Sequence, residues 1–323
     1  MENIIETKNL TKKYGNFTAV DDLSFSVKTG EVFAFLGPNG AGKTTTNKML
    51  TPLLKPTTGE VFLNGHNVTE NPHQTRKSFG IVFQDPSLDN ELTAYENMQF
   101  HAILYGIKKD NQALNYKTPV LEYFSGLFSK FWLQIRYNFS AEPLARPKNS
   151  IKFLPQNLEE IPRKSFVNQG YQERIKNLLE LVELWDRKDS YVKTFSGGMK
   201  RRLEIARGLL HNPKVLFLDE PTIGLDPQTR NHIWNYIHNL NKTENVTIFF
   251  TTHHMEEVER MAQRIAIIDH GKILIIGTVQ EIIQKAGAKN LEDAFITLTG
   301  SKIREEAVNA GVNRMRISNK LMR

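Results

Sequence analysis

Residues 23–28, LSFSVK, alternate apolar and polar positions, the pattern of a strand with one buried and one exposed face. The next apolar run, VFAFLG at 32–37, has no polar position and predicts a strand buried on both faces. IVF at 81–83, VLFLD at 215–219 and VTIFFTT at 246–252 read the same way, and residues 229–240, between the last two, carry helical spacing. IAIIDHGKILIIG at 265–277 predicts two strands about a turn at 269–271. Met199, Leu203, Ala206 and Leu209 or Leu210 recur at helical spacing behind Ser196, a good capping residue, so a helix starts there. Strand and helix alternate with no internal repeat, which predicts one copy of an α/β core whose mainly parallel sheet is edged by antiparallel strands.

Residues 108–170 have a different texture, with ten Lys or Arg against five Asp or Glu and ten aromatic residues. Leu121, Phe124, Phe128, Phe131 or Trp132, Ile135 and Phe139 predict one amphipathic helix over 120–139, despite Gly126. Pro143, Pro147, Pro155 and Pro162 then break any regular element, so 140–165 reads as a loop or linker.

Composition narrows the class. The 323 residues, 40% hydrophobic, suffice for a substantial core. No run approaches the roughly 18 apolar residues of a membrane helix, and the start MENIIETKNL lacks the regions of a secretory signal. The expectation is a cytoplasmic protein. The absence of cysteine removes disulfides, thiolate catalysis and cysteine metal sites. The net charge of +7 suggests an acidic partner: nucleotide, nucleic acid or phospholipid surface.

The chemistry sits where the buried strands end. VFAFLG runs into GPNGAGKTTT, residues 37–46, which matches G-x-x-x-x-G-K-[ST] at Gly37, Gly42, Lys43 and Thr44. A backbone of Gly37, Pro38, Asn39, Gly40, Ala41 and Gly42 can wrap until several N–H groups point at one phosphate chain. Lys43 adds a point charge, Thr44 offers a hydroxyl to Mg²⁺, and Thr45 completes the expected ATP-binding residues. VLFLDEP ends with adjacent carboxylates: Asp219 can hold hydrated Mg²⁺ while Glu220 orients or deprotonates an attacking water. The helix start at Ser196, Gly197 and Gly198 is a second potential anion site, followed by Lys200, Arg201 and Arg202. These three either help draw phosphate in or form a solvated face, the second expected for at least two of them.

Taken together, GPNGAGKTTT, TFSGGMKRRLEIARG at 194–208 and VLFLDEPTIGLDP resemble the nucleotide-binding domains of ABC ATPases. The chain looks most like the ATP-binding subunits of the drug- and antibiotic-exporting, daunorubicin-resistance type, over about residues 1–107 and 171–300. The resemblance implies a P-loop NTPase (RecA-like) α/β core, an antiparallel β subdomain, and a helical subdomain over about 85–210 that carries an atypical insertion at 108–170. The cassette would close near residue 300, with LEDAFITLTG, leaving a tail at 301–323.

The resemblance also assigns roles. Tyr14 falls where the family stacks an aromatic on adenine; Gln84 lies in the loop that links Mg²⁺ and water to the membrane partner. Asp226 belongs to a loop that contacts the opposite subunit, and His253 is the switch histidine at the γ-phosphate. His254, where the family often has an aromatic, receives no role. The helix at 171–185 follows the insertion. In the family two such domains stack head to tail, so Ser196-Gly197-Gly198 of one grips the ATP on the phosphate loop of the other. This implies ATP and Mg²⁺ as cofactors, a second nucleotide-binding subunit, identical or similar, a separate transmembrane permease, and a place at the inner face of the cell membrane.

The 120–139 helix has two readings: contact with membrane surface or permease, or packing on the helical subdomain. A nucleic-acid role for the basic, aromatic segment finds no recognised module, and no nucleic acid is expected. The competing whole-protein reading is a soluble ABC ATPase acting on ribosomes or nucleic acid. It is disfavoured because the chain has neither two such domains nor long coiled coils. A small-molecule kinase would have no use for the 194–208 segment.

Overall fold

A computed structural model describes residues 2–85, 87–107 and 170–300. The expected helix at 120–139, the linker at 140–165 and the tail at 301–323 lie outside these residues.

Two sheets make the frame. The first is antiparallel, in the order β2-β1-β4-β5, from β1 (Asn3–Tyr14), β2 (Phe17–Lys28), β4 (Thr58–Leu63) and β5 (His66–Asn67). LSFSVK is the second half of β2, and it lies in this sheet rather than at an edge of the parallel one. The second sheet runs β10-β9-β3-β8-β7-β6. Its parallel members are β3 (Val32–Leu36), β6 (Phe79–Val82), β7 (Val215–Asp219), β8 (Thr247–Thr252) and β9 (Arg264–Asp269). Only β10 (Lys272–Gly277) pairs antiparallel, through the hairpin predicted at 265–277.

The all-apolar strands are buried on both faces because each face meets a different core. Val32, Ala34, Leu36, Leu216, Leu218, Ile248 and Phe250 point toward the helices. Phe33, Phe35, Phe217 and Phe249 point toward the antiparallel sheet, where Phe25 stacks on Phe33 at 5.8 Å and on Phe249 at 6.3 Å between ring centroids. Period-two alternation of this kind on a strand with no polar position needs two apolar cores to satisfy it.

The helices are α1 (Lys43–Leu50), α2 (Pro72–Ser78), α3 (Ala94–Leu104), α4 (Tyr171–Leu181), α5 (Gly197–Leu209), α6 (Pro227–Glu244), α7 (Met255–Met261), α8 (Val279–Ala286) and α9 (Leu291–Thr299). α4 ends at Leu181, short of Trp185, because Glu183 turns into the left-handed region at φ 56° and breaks the helical path. α6 is longer than 229–240: Asp226 caps it by accepting from the Thr229 N–H at 2.9 Å, with Pro227 in its first turn. α5 begins where predicted, with the Ser196 hydroxyl accepting from the Met199 N–H at 3.2 Å. Farther along, α5 lies so close to β6 that a Cβ on Gly80 would stand 2.1 Å from the Gly208 carbonyl oxygen.

Candidate active site

The C-terminal ends of β3, β7 and β8 converge, and the loops leaving them carry the titratable groups. After Leu36 the chain turns through residues 37–42 into α1. Gly42 needs to be glycine, because its φ is 102° and a Cβ there would meet the Ala19 carbonyl oxygen at 2.7 Å. The loop is braced from outside: the Gly271 N–H donates to the Ala41 carbonyl at 3.0 Å, and Asp21 N–H donates to Gly271 at 2.9 Å.

Lys43 is buried, and its ammonium donates to the carbonyls of Gly37 at 2.8 Å and Pro38 at 3.2 Å. Its Nζ stands 3.6 Å from Glu220 Oε1. Burial pushes the amine below its ordinary value, against the opposing pull of Glu220 and Asp219. The cation is therefore held over the loop, where an arriving phosphate can take it over from weak carbonyl partners.

Asp219 closes β7. Its Oδ1 accepts from the Thr251 hydroxyl at 2.5 Å and lies 3.5 Å from the Thr44 hydroxyl. Burial raises its carboxyl above the usual range, and the Thr251 bond works in the opposite direction. Glu220 follows with φ 48°, a left-handed backbone that strains a non-glycine residue by about 1–3 kcal/mol. Its N–H is shared between the Thr251 carbonyl and hydroxyl, both at 3.1 Å. Its Oε2 lies 3.4 Å from His253 Nδ1. Burial alone would raise the Glu220 carboxyl, but His253 and Lys43 beside it outweigh burial and hold it below the ordinary value of 4.5. It is thus a carboxylate held between a lysine and an imidazole.

Thus Lys43, Thr44, Asp219, Glu220 and His253 meet at one point. Ser196, Gly197 and Gly198, at the start of α5, have no hydrogen bond or ion pair to that group among the described residues. The same holds for Gln84, exposed after β6, and for Tyr14, which is 43% exposed at the end of β1 with Lys12 Nζ 5.2 Å above its ring. Asp226 is exposed and caps α6. His254 stacks near His253, ring centroids 4.2 Å apart.

One sequence expectation fails. Arg201 neither draws phosphate nor lies on a solvated face: it is 6% exposed. Its guanidinium donates to the carbonyls of Pro221 at 2.6 Å, Asp219 at 3.1 Å, Glu220 at 2.9 Å and Phe83, and to Glu204 Oε2 at 3.2 Å. Lys200 and Arg202 stay part-exposed, on Asn90 and Glu183 respectively.

Other working residues gave no strong sequence signal. Thr251 could have been found, since it lies in VTIFFTT directly across from Asp219 in the parallel register. Buried Glu257 accepts from the Thr222 hydroxyl and, at 2.7 Å, from Thr252, joining the loop after Glu220 to the end of β8. Buried Glu204 accepts from the Ser87 N–H at 2.7 Å, and Arg207 donates to the Ser87 carbonyl at 2.8 Å, so α5 also grips the loop after β6.

A parallel sheet with a glycine-rich phosphate loop, a lysine over it and paired carboxylates on the neighbouring strand defines a P-loop nucleoside triphosphatase. A family profile described as "ABC transporter" matches residues 20–127 and 117–223. The chain is 33% identical to the linearmycin resistance ATP-binding protein LnrL of Bacillus subtilis, over 94% of this chain and 76% of that protein. It is 33% identical to the daunorubicin/doxorubicin resistance ATP-binding protein DrrA of Streptomyces peucetius, over 89% of this chain and 69% of that one. Among solved structures, cbiO1 from Clostridium perfringens, part of the ABC transporter complex cbiONQ, superposes with a TM-score of 0.62 at 25% identity, covering 88% of this chain and 92% of that one. The chain belongs to the ABC transporter family, as its ATP-binding, ATP-hydrolysing component.

Proposed function

We propose that this chain powers an export-type transporter, working as a dimer with an identical or similar subunit on the cytoplasmic face of a membrane-spanning permease. The observation that carries the reading is the division of the site. Lys43, Thr44, Asp219, Glu220 and His253 form one half, while the α5 N-terminus, with its free backbone N–H groups, stands apart from them. A second copy placed head to tail supplies the missing half. No helix among the described residues is long and apolar enough to cross a membrane; the permease is taken from the likeness to ATP-binding proteins of transport systems. The names of similar proteins, resistance to linearmycin and to daunorubicin and transport of bacitracin, favour an antibiotic-like cargo.

The chemistry follows from the geometry. The loop amides and Lys43 bind the β- and γ-phosphates, with adenine on Tyr14. The donors beside them are hard oxygens, the Thr44 hydroxyl and the Asp219 carboxylate 3.5 Å apart, which suits Mg²⁺; Gln84 would join them once its loop closes. Mg²⁺, when bound, neutralises charge on the transferring phosphoryl group. Glu220, ionised beside His253, orients the water and takes its proton, and His253 senses the γ-phosphate. Asp226, exposed at the start of α6, meets the opposite subunit.

The test pairs purification with one substitution. The chain extracted from membranes should carry a multi-span protein with it. Glu220→Gln should retain ATP binding, lose turnover by about 10²–10⁴-fold and accumulate as an ATP-held dimer on size exclusion. Persistent turnover refutes the role of Glu220; tight, salt-sensitive binding to RNA with no membrane partner would replace the transporter reading.

A further inference from the structure

We propose that Arg201 is the positioning residue that sets the backbone of Glu220, and that it ties this catalytic base to the helix whose N-terminus holds the neighbouring subunit's ATP. The inference rests on the dimer reading above. An arginine has five N–H donors in a rigid fork. Here they go to five acceptors: three consecutive carbonyls, of Asp219, Glu220 and Pro221, the carbonyl of Phe83, and Glu204.

Three separate motifs meet on this one side chain. The carbonyls at 219–221 bracket Glu220, whose left-handed φ of 48° has no glycine to relax it. Its N–H is held by Thr251 from one side and its C=O by Arg201 from the other, so both peptide planes that fix the carboxylate's direction are tethered. Phe83 is the residue before Gln84. Arg201 itself lies within the first turns of α5, five residues after Ser196.

Glu204 and Arg207 extend the same grip along α5 to Ser87. A displacement of α5 when Ser196, Gly197 and Gly198 close on the neighbour's γ-phosphate is therefore transmitted to the chain's own base through a guanidinium, in addition to the apolar packing of α5 on β7. Lysine cannot substitute. One ammonium offers three donors from a single point and cannot span carbonyls on both sides of the Glu220 peptide.

The experiment uses the full chain with ATP and Mg²⁺. Arg201→Lys should lower kcat by about 100-fold, the scale of a misplaced catalytic group, while KM for ATP stays within about threefold; the melting temperature falls too, because buried carbonyls lose donors, so both constants are read well below the variant's own melting point. Arg201→Gln, neutral and able to donate two bonds, should behave similarly and guards against a lysine that merely disturbs the fold.

Mixing chains then separates the route of action. An equal mixture of Ser196→Ala and Glu220→Gln chains should recover turnover, because one site of each mixed dimer is whole. A mixture of Arg201→Lys and Glu220→Gln should not, because the arginine serves the Glu220 of its own chain. Recovery in the second mixture, an unchanged kcat, a rise in KM as large as the fall in kcat, or failure of both variants to fold each overturns the proposal. Failure of the first mixture alone counts against the composite dimer instead, and the split between kcat and KM still decides on Arg201.

Discussion

Thr251→Val isolates one hydroxyl at the centre of the site. The side chain is fully buried in β8 and differs from valine by little more than its polar atom. Its hydroxyl donates to Asp219 Oδ1 at 2.5 Å and accepts from the Glu220 N–H at 3.1 Å. A hydrogen bond to a buried charge contributes about 1.5–3 kcal/mol. The Glu220 N–H keeps the Thr251 carbonyl, also at 3.1 Å, so its loss adds less than about 1 kcal/mol. The sum, about 2–4 kcal/mol, corresponds to roughly 3–6 °C in melting temperature for a chain of this size.

The effect should depend on pH. Burial already raises the Asp219 carboxyl, and removing the hydroxyl, which lowers it, raises it further. A carboxyl raised in the folded state penalises folding above its folded pKa and is relieved as pH falls through it. The difference between wild type and variant is therefore greatest at neutral pH and shrinks in acid, while the acid limb of turnover moves to higher pH. Thermal unfolding without nucleotide across pH, alongside a pH–rate profile, measures both. A melting temperature within about 1 °C of wild type at neutral pH refutes the reasoning.

Glu220 should show the opposite sign. Its carboxyl is depressed, so its stabilising contacts with His253 and Lys43 are fully present above the ordinary value of 4.5 and vanish as pH falls through the folded one. Melting curves of wild type and Glu220→Gln should thus run a constant distance apart at neutral pH and converge in acid. Ser196→Ala removes the α5 cap, worth about 1 kcal/mol, and should lower the melting temperature by roughly 2 °C while cutting turnover well beyond what that loss explains. Gly80→Ala places a methyl group 2.1 Å from the Gly208 carbonyl oxygen, so β6 and α5 must separate; soluble yield and melting temperature should both drop, by more than the about 1 kcal/mol of a typical substitution.

The buried strands were legible because two-sided burial leaves a run with no polar position, as in VFAFLG and VLFLD. β1 was not: NIIETKNLTKKY lies between two antiparallel neighbours with much of one face in solvent, so its polar residues hide a twelve-residue strand. Lys43, Asp219 and Glu220 could be found because phosphate chemistry demands those residue types at strand ends, and the fold brings them within reach of one another. Arg201 was misread because three adjacent basic residues look solvated on a helix, and nothing local reveals that one of them faces carbonyls eighteen to twenty positions downstream. Glu257 was hidden in the same way, among the charges of MEEVER, although only it among them is buried, against one threonine from the loop after Glu220 and one from the end of β8.

The phenylalanines laminated between the two sheets make the molecule a ruler. Phe25 on one layer and Phe33, Phe35 and Phe249 on the other leave no polar seam along which the layers could slip. The hairpin that presents Tyr14 and the turn that presents Lys43 are therefore fixed at one separation. If a purine rests on Tyr14 as proposed, that fixed spacing sets how far along the phosphate chain the cluster of Lys43, Glu220 and His253 stands.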